Sequence, residues 1–220
     1  MIDESSYYQS RFVFDARRDT VWKEISGFLQ SRYIPEESTV LEIGAGYCHF
    51  INQIKARERH ALDISNEVRR HAAEGVTPHV QSCTAMDIFS DDHFDVVFAS
   101  NVFEHLKAEE STAALAEIRR VLKPQGKLVL IQPNFKYCYK KYFDYYTHIQ
   151  IFTHIGMSDL IVASGFRIAD LKPRFLPFSM KSNLPKVGWL VRMYLHSPIK
   201  PFAEQMLVVA MKRNGETDVE

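Results

Sequence analysis

Short β-rich runs alternate with longer amphipathic segments along this chain, and that alternation limits its fold more strongly than any other feature. Helix-like patterns cover residues 47–55, 66–73, 108–122 and 151–164. The β-rich runs lie before, between and after them, at 39–43, 61–64, 79–82, 94–99, 127–132, 166–171 and 206–211. This order predicts βαβ units, and therefore an α/β fold with a mainly parallel sheet and helices on both faces.

The length of 220 residues suits one α/β domain with a substantial core and is short for two. We expect a single domain over residues 1–213, with a helical segment at 1–34 and a loose tail at 214–220. Two stretches exceed a minimal βαβ layout, at 133–150 and 173–203. Insertions at strand ends commonly carry substrate recognition, so both are predicted to cover the substrate.

Composition narrows the class of protein. The formal net charge is zero, which argues against a general affinity for nucleic acid. The 3 cysteines are too few and too scattered for a disulfide scaffold, and no CxxC pair indicates structural zinc. The first residues lack the order of a signal peptide, and no apolar run is long enough for stable membrane insertion. We therefore expect a cytoplasmic protein acting on a small molecule, while its oligomeric state stays open.

A glycine-rich turn follows the first predicted strand. Gly44-Ala45-Gly46 would let the backbone approach a ligand where a Cβ would clash. The third glycine of the dinucleotide fingerprint GxGxxG is absent, because His49 stands there. Asp63 lies 21 residues after Glu42, at the end of the next strand, where a carboxylate can accept ribose hydroxyls. An aspartate here could instead cap the following helix, although Ser65 competes for that role.

Four segments, in order, resemble class I S-adenosylmethionine-dependent methyltransferases between about Val40 and Gly126. They are Val-Leu-Glu-Ile-Gly-Ala-Gly (40–46), Ala-Leu-Asp-Ile-Ser (61–65), Phe-Asp-Val-Val-Phe-Ala-Ser-Asn-Val-Phe-Glu-His-Leu (94–106) and Arg-Arg-Val-Leu-Lys-Pro-Gln-Gly (119–126). Gln-Pro-Asn-Phe (132–135) and Arg-Phe-Leu-Pro-Phe (174–178) further resemble small-molecule and sugar methyltransferases of biosynthetic gene clusters. The resemblance implies a Rossmann-like seven-stranded sheet, mostly parallel with the last strand antiparallel.

The same resemblance implies the cofactor S-adenosylmethionine, with S-adenosylhomocysteine as product, and a set of contacts to it. Glu42 and the backbone of Gly44, Ala45 and Gly46 would hold the methionine end, and Asp63 the ribose. The other implied contacts are Ile64 on the adenine face, Thr84, Ala85 and Met86 along the adenine edge, Ser100 and Asn101 at the methionine part, and Arg11 or Arg18 at the carboxylate. The Gly-Asp-Ala frequent in the family is replaced by Ser82-Cys83-Thr84, so backbone contacts would serve the adenine amino group.

Two histidines are the candidate catalytic residues. A hydroxyl acceptor benefits from a general base, and histidine is the side chain best suited to that near neutral pH. His105 follows the fourth strand, where it would act as the base or only line the pocket, and His148 is the second candidate. No metal is expected, because displacement at a sulfonium needs none and no His/Asp/Glu spacing is typical of ligands. The absence of an Asn-Pro-Pro-Tyr motif favours oxygen over nitrogen as the acceptor atom.

The two insertions have distinctive compositions. Residues 137–146 hold six aromatics, which could stack on a ring substrate, surround the sulfonium, or bury one side of a lid helix. Residues 172–203 hold six basic and no acidic residues, which suggests an anionic acceptor, a solvated basic surface, or membrane-surface docking through 189–195.

Two alternatives to methyl transfer follow from the same residues. A nicotinamide-dependent oxidoreductase would share the glycine turn and Asp63, but the missing glycine at position 49 weighs against it. A module that binds S-adenosylmethionine without turnover would keep the whole cofactor loop, because binding and catalysis draw on different residues.

Overall fold

The computed structural model describes residues 17–178 and 187–213. The first described element is helix α1, Arg17–Tyr33. Its apolar side is buried against the sheet through Trp22, Ile25, Phe28 and Leu29. The predicted helix at 1–34 is therefore present from Arg17 onward, and the earlier part of that prediction lies outside the described residues, as does the predicted tail.

Within the described residues, seven strands and five further helices follow α1. The strands are β1 (Thr39–Ile43), β2 (Glu58–Asp63), β3 (Val76–Val80), β4 (Phe94–Ser100), β5 (Leu122–Pro133), β6 (Phe166–Pro177) and β7 (Ala203–Lys212). The helices are α2 (Glu67–His71), α3 (Ala108–Val121), α4 (Phe135–Cys138), α5 (His154–Ala163) and α6 (Gly188–His196). Single 3₁₀ turns lie at Phe103–His105 and Tyr142–Asp144.

The strands form one sheet in the order β3-β2-β1-β4-β5-β7-β6. The first five strands pair in parallel, whereas β7 runs antiparallel to both β5 and β6. This arrangement confirms the predicted fold class. Its consequence for function is geometric, since the carboxyl ends of β1, β2, β4 and β5 all meet at one edge of the sheet.

Two apolar clusters cover the sheet. One packs helices α3 and α5 against one face, with Leu115, Ile118 and Ile161 among its fully buried members. The other packs α1 and the chain after β1 against the opposite face. Strand β1 is buried along its whole length, as a central parallel strand covered on both faces must be.

The predicted helix at 47–55 is wrong, because the chain makes successive turns there. Gly46 and Cys48 have φ of 50° and 57°, values that a right-handed helix does not allow. The N–H of Ile51 donates to Oε2 of Glu42 at 3.0 Å instead of to a carbonyl one helical turn earlier. The turns therefore replace a helix because a buried carboxylate takes one of the amides that a helix would need.

Strand boundaries also differ from the predictions: β2, β3 and β7 each begin three residues earlier than predicted, and β5 and β6 differ most. Helix α3 passes directly into β5, and residues 123–126 form an irregularity in that strand instead of a separate turn, so the pairing skips from Phe94–Leu122 to Val96–Lys127. Strand β6 continues to Pro177 with shifts of register, so residues 173–177 of the predicted insertion belong to the sheet.

Candidate active site

The carboxyl edge of the parallel strands brings together nearly all of the predicted site residues. Gly44–Gly46 follow β1, Asp63 ends β2, and Ser100 ends β4 with Asn101 directly after it. In open parallel sheets, ligands bind at this edge beside the point where the strand order reverses. That point lies here between β1 and β4. From β1 the strand order continues outward through β2 to β3, and from β4 it continues in the opposite direction through β5.

The glycine loop needs glycine for two different reasons. Gly44 has φ of +64°, and a Cβ built on it would lie 2.4 Å from Cγ2 of Val102, so no larger residue fits. Gly46 has φ of +50°, but a Cβ there would meet no described atom within 4 Å beyond its chain neighbours. The space over Gly46 is therefore open, which is the environment that a ligand lying against the backbone requires.

Asp63 ties this loop to the end of β2. Its Oδ2 accepts the N–H of Gly46 at 2.8 Å, and its Oδ1 accepts the N–H of Ser65 at 2.8 Å. The residue is 4% exposed. Its carboxylate therefore lies at the end of β2 beside the open space over Gly46, where the ribose of a ligand would lie. Asp63 is thus both an organiser of the loop and a candidate ribose acceptor.

Glu42 lies beneath the loop. It is 5% exposed, and burial raises the pKa of its carboxyl well above the usual range, against the opposing effect of the N–H of Ile51. Ala45 is held on the other side by its N–H donating to the carbonyl of Leu62 at 3.1 Å. Glu42 therefore shapes the loop from inside the fold.

On the predicted adenine side, the side chains differ in their surroundings. Ile64 is 55% exposed, as expected of an apolar surface awaiting a flat ring. Thr84 is half-buried with Oγ1 2.8 Å from Oγ of Ser82, and Ala85 is exposed. Met86 is fully buried in the core and its N–H donates to Glu117 at 2.6 Å, so its side chain points away from this surface. Only Ile64, Thr84 and Ala85 remain available to line an adenine pocket with side chains.

The end of β4 is held in an unusual conformation. Asn101 has φ of 55°, and its N–H donates to the carbonyl of Ile131 at 3.0 Å. Its side chain donates to Oγ of Ser100 and accepts from Nε2 of Gln205 at 2.9 Å. These bonds fix Ser100 and Asn101 beside the glycine loop, where Val102 contacts Gly44. For the predicted carboxylate contact, Arg18 is described and half-buried, whereas Arg11 lies outside the described residues.

Beyond Val102, three ionisable side chains converge. A carboxylate oxygen of Glu104 and ring nitrogens of His105 and His148 all lie within 4.8 Å of one another. Glu104 is 1% exposed, burial raises its pKa, and its Oε2 accepts Nε2–H of Gln132 at 2.8 Å. Nδ1 of His105 lies 3.0 Å from the carbonyl of Thr147. The two predicted catalytic histidines are therefore neighbours, although 42 residues separate His105 from Thr147.

The first insertion, 133–150, is docked on this cluster. The N–H groups of Ile149 and Gln150 donate to the carbonyl of Glu104 at 2.9 and 3.2 Å. Tyr142 is fully buried, with its ring 4.6 Å from that of His148, while Tyr139, Phe143 and Tyr146 are exposed. The aromatic run forms helix α4 and one 3₁₀ turn, not a continuous lid helix with one buried side.

The basic residues of 172–203 mostly have local partners. Lys172 pairs with Asp170 and Arg192 with Glu24, each at 2.8 Å. Arg174 donates to the carbonyl of Ala203, and Lys200 donates to main-chain carbonyls of α6. Lys181 and Lys186 lie outside the described residues. Most of the basic side chains that suggested an anionic acceptor are therefore paired with other groups of the fold.

Sequence reasoning missed three contributors to this edge: Glu104, Gln132 and Gln205. Glu104 stands beside His105 in the quoted segment, and an acidic residue in the turn after a buried strand is a signal that could have drawn attention to it. The two glutamines carry no such signal. Their role follows only from the positions of β5 and β7 next to β4.

Comparison with known proteins agrees with this geometry. Residues 41–130 match the family described as methyltransferase domain. An uncharacterized methyltransferase of Staphylococcus carnosus is 35% identical over 102 residues, which cover 46% of this chain and 49% of that protein. A structure of the complex between the Haloferax volcanii Trm112 methyltransferase activator and a methyltransferase superposes with a TM-score of 0.73 at 17% identity, over 97% of this chain and 100% of that one.

A second solved structure is Burkholderia thailandensis 1,6-didemethyltoxoflavin-N1-methyltransferase with bound 1,6-didemethyltoxoflavin and S-adenosylhomocysteine. It has a TM-score of 0.62 at 19% identity, over 96% of this chain and 85% of that one. Fold and site together define the class I, S-adenosylmethionine-dependent methyltransferases. Residues 41–130 of the chain are similar to a methyltransferase domain. The predicted family and cofactor are confirmed, and the nicotinamide alternative is set aside.

The chain spans about half the length of the sequence relatives it matches, 49% and 50% for the first two. Within residues 17–178 and 187–213, no helix combines the length and the apolar character needed to cross a membrane. On helix α6, Trp189 and Met193 are exposed, while Leu195 is buried and Arg192 is paired with Glu24.

Proposed function

We propose that this chain transfers the methyl group of S-adenosylmethionine to a hydroxyl of a small biosynthetic acceptor, such as a sugar or a related metabolite. The observation that carries the proposal is the convergence, at one edge of the sheet, of an open glycine loop with Asp63 and a histidine pair beyond β4. The methyltransferase-domain match over 41–130 supports the activity. A similar fold that holds S-adenosylhomocysteine supports the cofactor.

In this proposal the cofactor lies along the carboxyl edge. Asp63 accepts its ribose hydroxyls, and Ile64 covers its adenine together with Thr84, Ala85 and the backbone at Met86. The backbone of Gly44–Gly46 faces the methionine part, with Ser100 and Asn101 opposite and Glu42 holding the loop from below. The open space over Gly46 and the exposed Ile64 fit a ligand with an apolar ring and a backbone-contacting chain.

The sulfonium cofactor supplies an electrophilic methyl group, so the protein's task is alignment and proton removal. The acceptor oxygen forms a bond to the methyl carbon as the carbon–sulfur bond breaks, and the electron pair of that bond stays on sulfur. His105 and His148 lie on the acceptor side, and Nε2 of His105 would receive the hydroxyl proton. The 133–150 insertion, and the part of 173–203 that lies between β6 and β7, would cover the acceptor within a single domain.

Calorimetry separates the cofactor classes. We expect S-adenosylhomocysteine to bind with one site per chain and NAD(H) not to bind, and binding of only the nicotinamide cofactor would end the proposal.

A module that binds the cofactor without turnover remains the second candidate. Incubation with methyl-labelled S-adenosylmethionine and a metabolite extract should label a small molecule. Tight cofactor binding without any transfer of label would favour the module. A labelled product bearing its methyl group on nitrogen would overturn the hydroxyl acceptor alone.

A further inference from the structure

The arrangement around Glu104 leaves two hydrogen-bond acceptors facing each other. The carbonyl of Thr147 can only accept, so Nδ1 of His105, 3.0 Å away, carries the proton. Nε2 of the neutral ring then presents a lone pair, and the nearest carboxylate oxygen, Oε1 of Glu104, lies 3.9 Å from it. That distance is too long for a hydrogen bond. A cation between the two atoms would satisfy both.

The third group completes a ligand set. His148 is 7% exposed, and one of its ring nitrogens lies within 4.8 Å of both other ligand atoms. Two imidazoles and one carboxylate form a facial set that leaves coordination positions open for substrate or water. Ligand atoms that share a tetrahedral ion at about 2.0–2.2 Å lie about 3.3–3.6 Å apart, so the side chains would close by up to about an ångström to hold it.

The surroundings support the ligands as they do in metal sites. Metal-binding histidines commonly donate their other ring N–H to a carbonyl, and His105 does so to Thr147. The ligating carboxylate is commonly hydrogen-bonded too, and Oε2 of Glu104 accepts from Gln132. Oε1 of Gln132 is buried with no hydrogen-bond partner among the described residues, so an acceptor stays available beside the cluster for a metal-bound water or hydroxyl.

From this geometry we infer that Glu104, His105 and His148 bind a divalent transition-metal ion, which holds the hydroxyl of the methyl acceptor. Zn²⁺, Co²⁺ and Mn²⁺ accept such imidazole and carboxylate ligands. With the ion bound, His105 would serve as a ligand in place of the general base proposed above. Binding to the ion lowers the pKa of the hydroxyl, whose proton then passes to water. The ion would also join the 133–150 insertion to the 3₁₀ turn after β4, because His148 belongs to the insertion and Glu104 to the turn.

The role of the ion rests on the proposed methyl transfer, but its binding does not. The test therefore titrates chelator-treated protein with Co²⁺ and follows the visible absorption of the ion, without any methyl acceptor. One equivalent should bind to the wild-type chain. His105→Ala and His148→Ala should each lower the Co²⁺ affinity by more than the roughly 10–100-fold that loss of a supporting residue costs.

His93→Ala is the matched control, because His93 belongs to the other histidine-containing group of possible ligands, Glu58, His60 and His93. It should keep the wild-type Co²⁺ affinity at the first equivalent. Thermal unfolding and S-adenosylhomocysteine calorimetry check that each variant folds and keeps its cofactor site. The inference is overturned if His105→Ala and His148→Ala retain Co²⁺ binding while His93→Ala loses it. It is also overturned if none of the three variants binds the ion. Co²⁺ binding without S-adenosylhomocysteine binding would instead contradict the proposed function alone.

Discussion

Oδ2 of Asp63 accepts the N–H of Gly46 at 2.8 Å, and this bond joins the glycine loop after β1 to the end of β2. The same carboxylate is the candidate acceptor for the ribose of the cofactor. A single side chain therefore shapes the loop before the ligand arrives and lies where the ligand's ribose would bind.

Asp63→Asn should weaken S-adenosylhomocysteine binding by about 2 kcal/mol, because charge-assisted hydrogen bonds to the ribose are lost. In calorimetry this corresponds to a roughly 30-fold rise in Kd. Asp159→Asn is the control, an exposed aspartate on α5 away from the sheet edge. Unchanged affinity in a folded Asp63→Asn protein would remove Asp63 from the cofactor site.

Gly44→Ala should destabilise the fold by about 2–4 kcal/mol, since it combines a positive φ with a steric overlap against Val102. Val102→Ala removes the overlapping methyl groups. In urea unfolding, the double variant should therefore be less destabilised than the sum of the single variants by about 1 kcal/mol or more. Strict additivity would show that the two residues do not meet in solution.

Gly46→Ala offers a comparison within the same loop. Its φ of +50° imposes the backbone cost, but no described neighbour lies within 4 Å of the new Cβ. Gly46→Ala should therefore unfold at a higher urea concentration than Gly44→Ala. It should nevertheless bind S-adenosylhomocysteine more weakly than the wild-type chain. The reverse order of stability would contradict the packing of Val102 on Gly44.

His105→Ala should lower kcat by about 100-fold or more, whether the side chain acts as the base or as a metal ligand. The affinity for S-adenosylhomocysteine should stay within a few-fold of wild type, because His105 lies on the acceptor side. His154→Ala, at the start of α5, is the control histidine. Equal loss of turnover and cofactor affinity would assign His105 to cofactor binding.

Stability should fall as the pH drops from about 7 to 5, through the usual histidine range. Burial lowers the pKa of His60, as does the neighbouring His93 against the effect of Glu58, and burial with His60 lowers that of His79. Both histidines therefore bind protons more readily in the unfolded chain. Acid then favours unfolding, and the stability is regained as the pH rises above the unfolded pKa.

Thermal unfolding across this pH range checks the effect. His79→Gln should partly flatten the pH dependence, because it removes one of the histidines whose pKa burial lowers, whereas His196→Gln on α6 should not. A His79→Gln protein with the full acid sensitivity of wild type would rule out the cluster as its source.

The alternation of segments was enough to predict most of the sheet, because buried parallel strands must be continuous apolar runs and their order follows the chain. Thr39–Ile43 was predicted to the residue, and Phe94–Ser100 to within one. The helix predicted at 47–55 is replaced by successive turns, with a positive φ at Cys48 and the amide of Ile51 bonded to Glu42. Pattern rules cannot detect that a side chain from a neighbouring strand takes the amide of Ile51.

Among the site residues, those beside the glycine loop could be predicted from motif order, since strand ends set their positions. The burial of the Met86 side chain could not be predicted in this way. It depends on how residues 82–89 pack against α3, where Oε2 of Glu117 accepts the N–H of Met86.

By itself, the sequence determined the α/β class, the position of the glycine loop and the carboxylate at Asp63. All three follow from local periodicity and from residue types with narrow backbone preferences. Only the tertiary structure decided that Glu104, His105 and His148 share one cluster, and that the cations of 172–203 are largely paired within the fold. Contacts across 42 residues depend on how the 133–150 insertion packs against the end of β4, and such packing leaves no period in the chain.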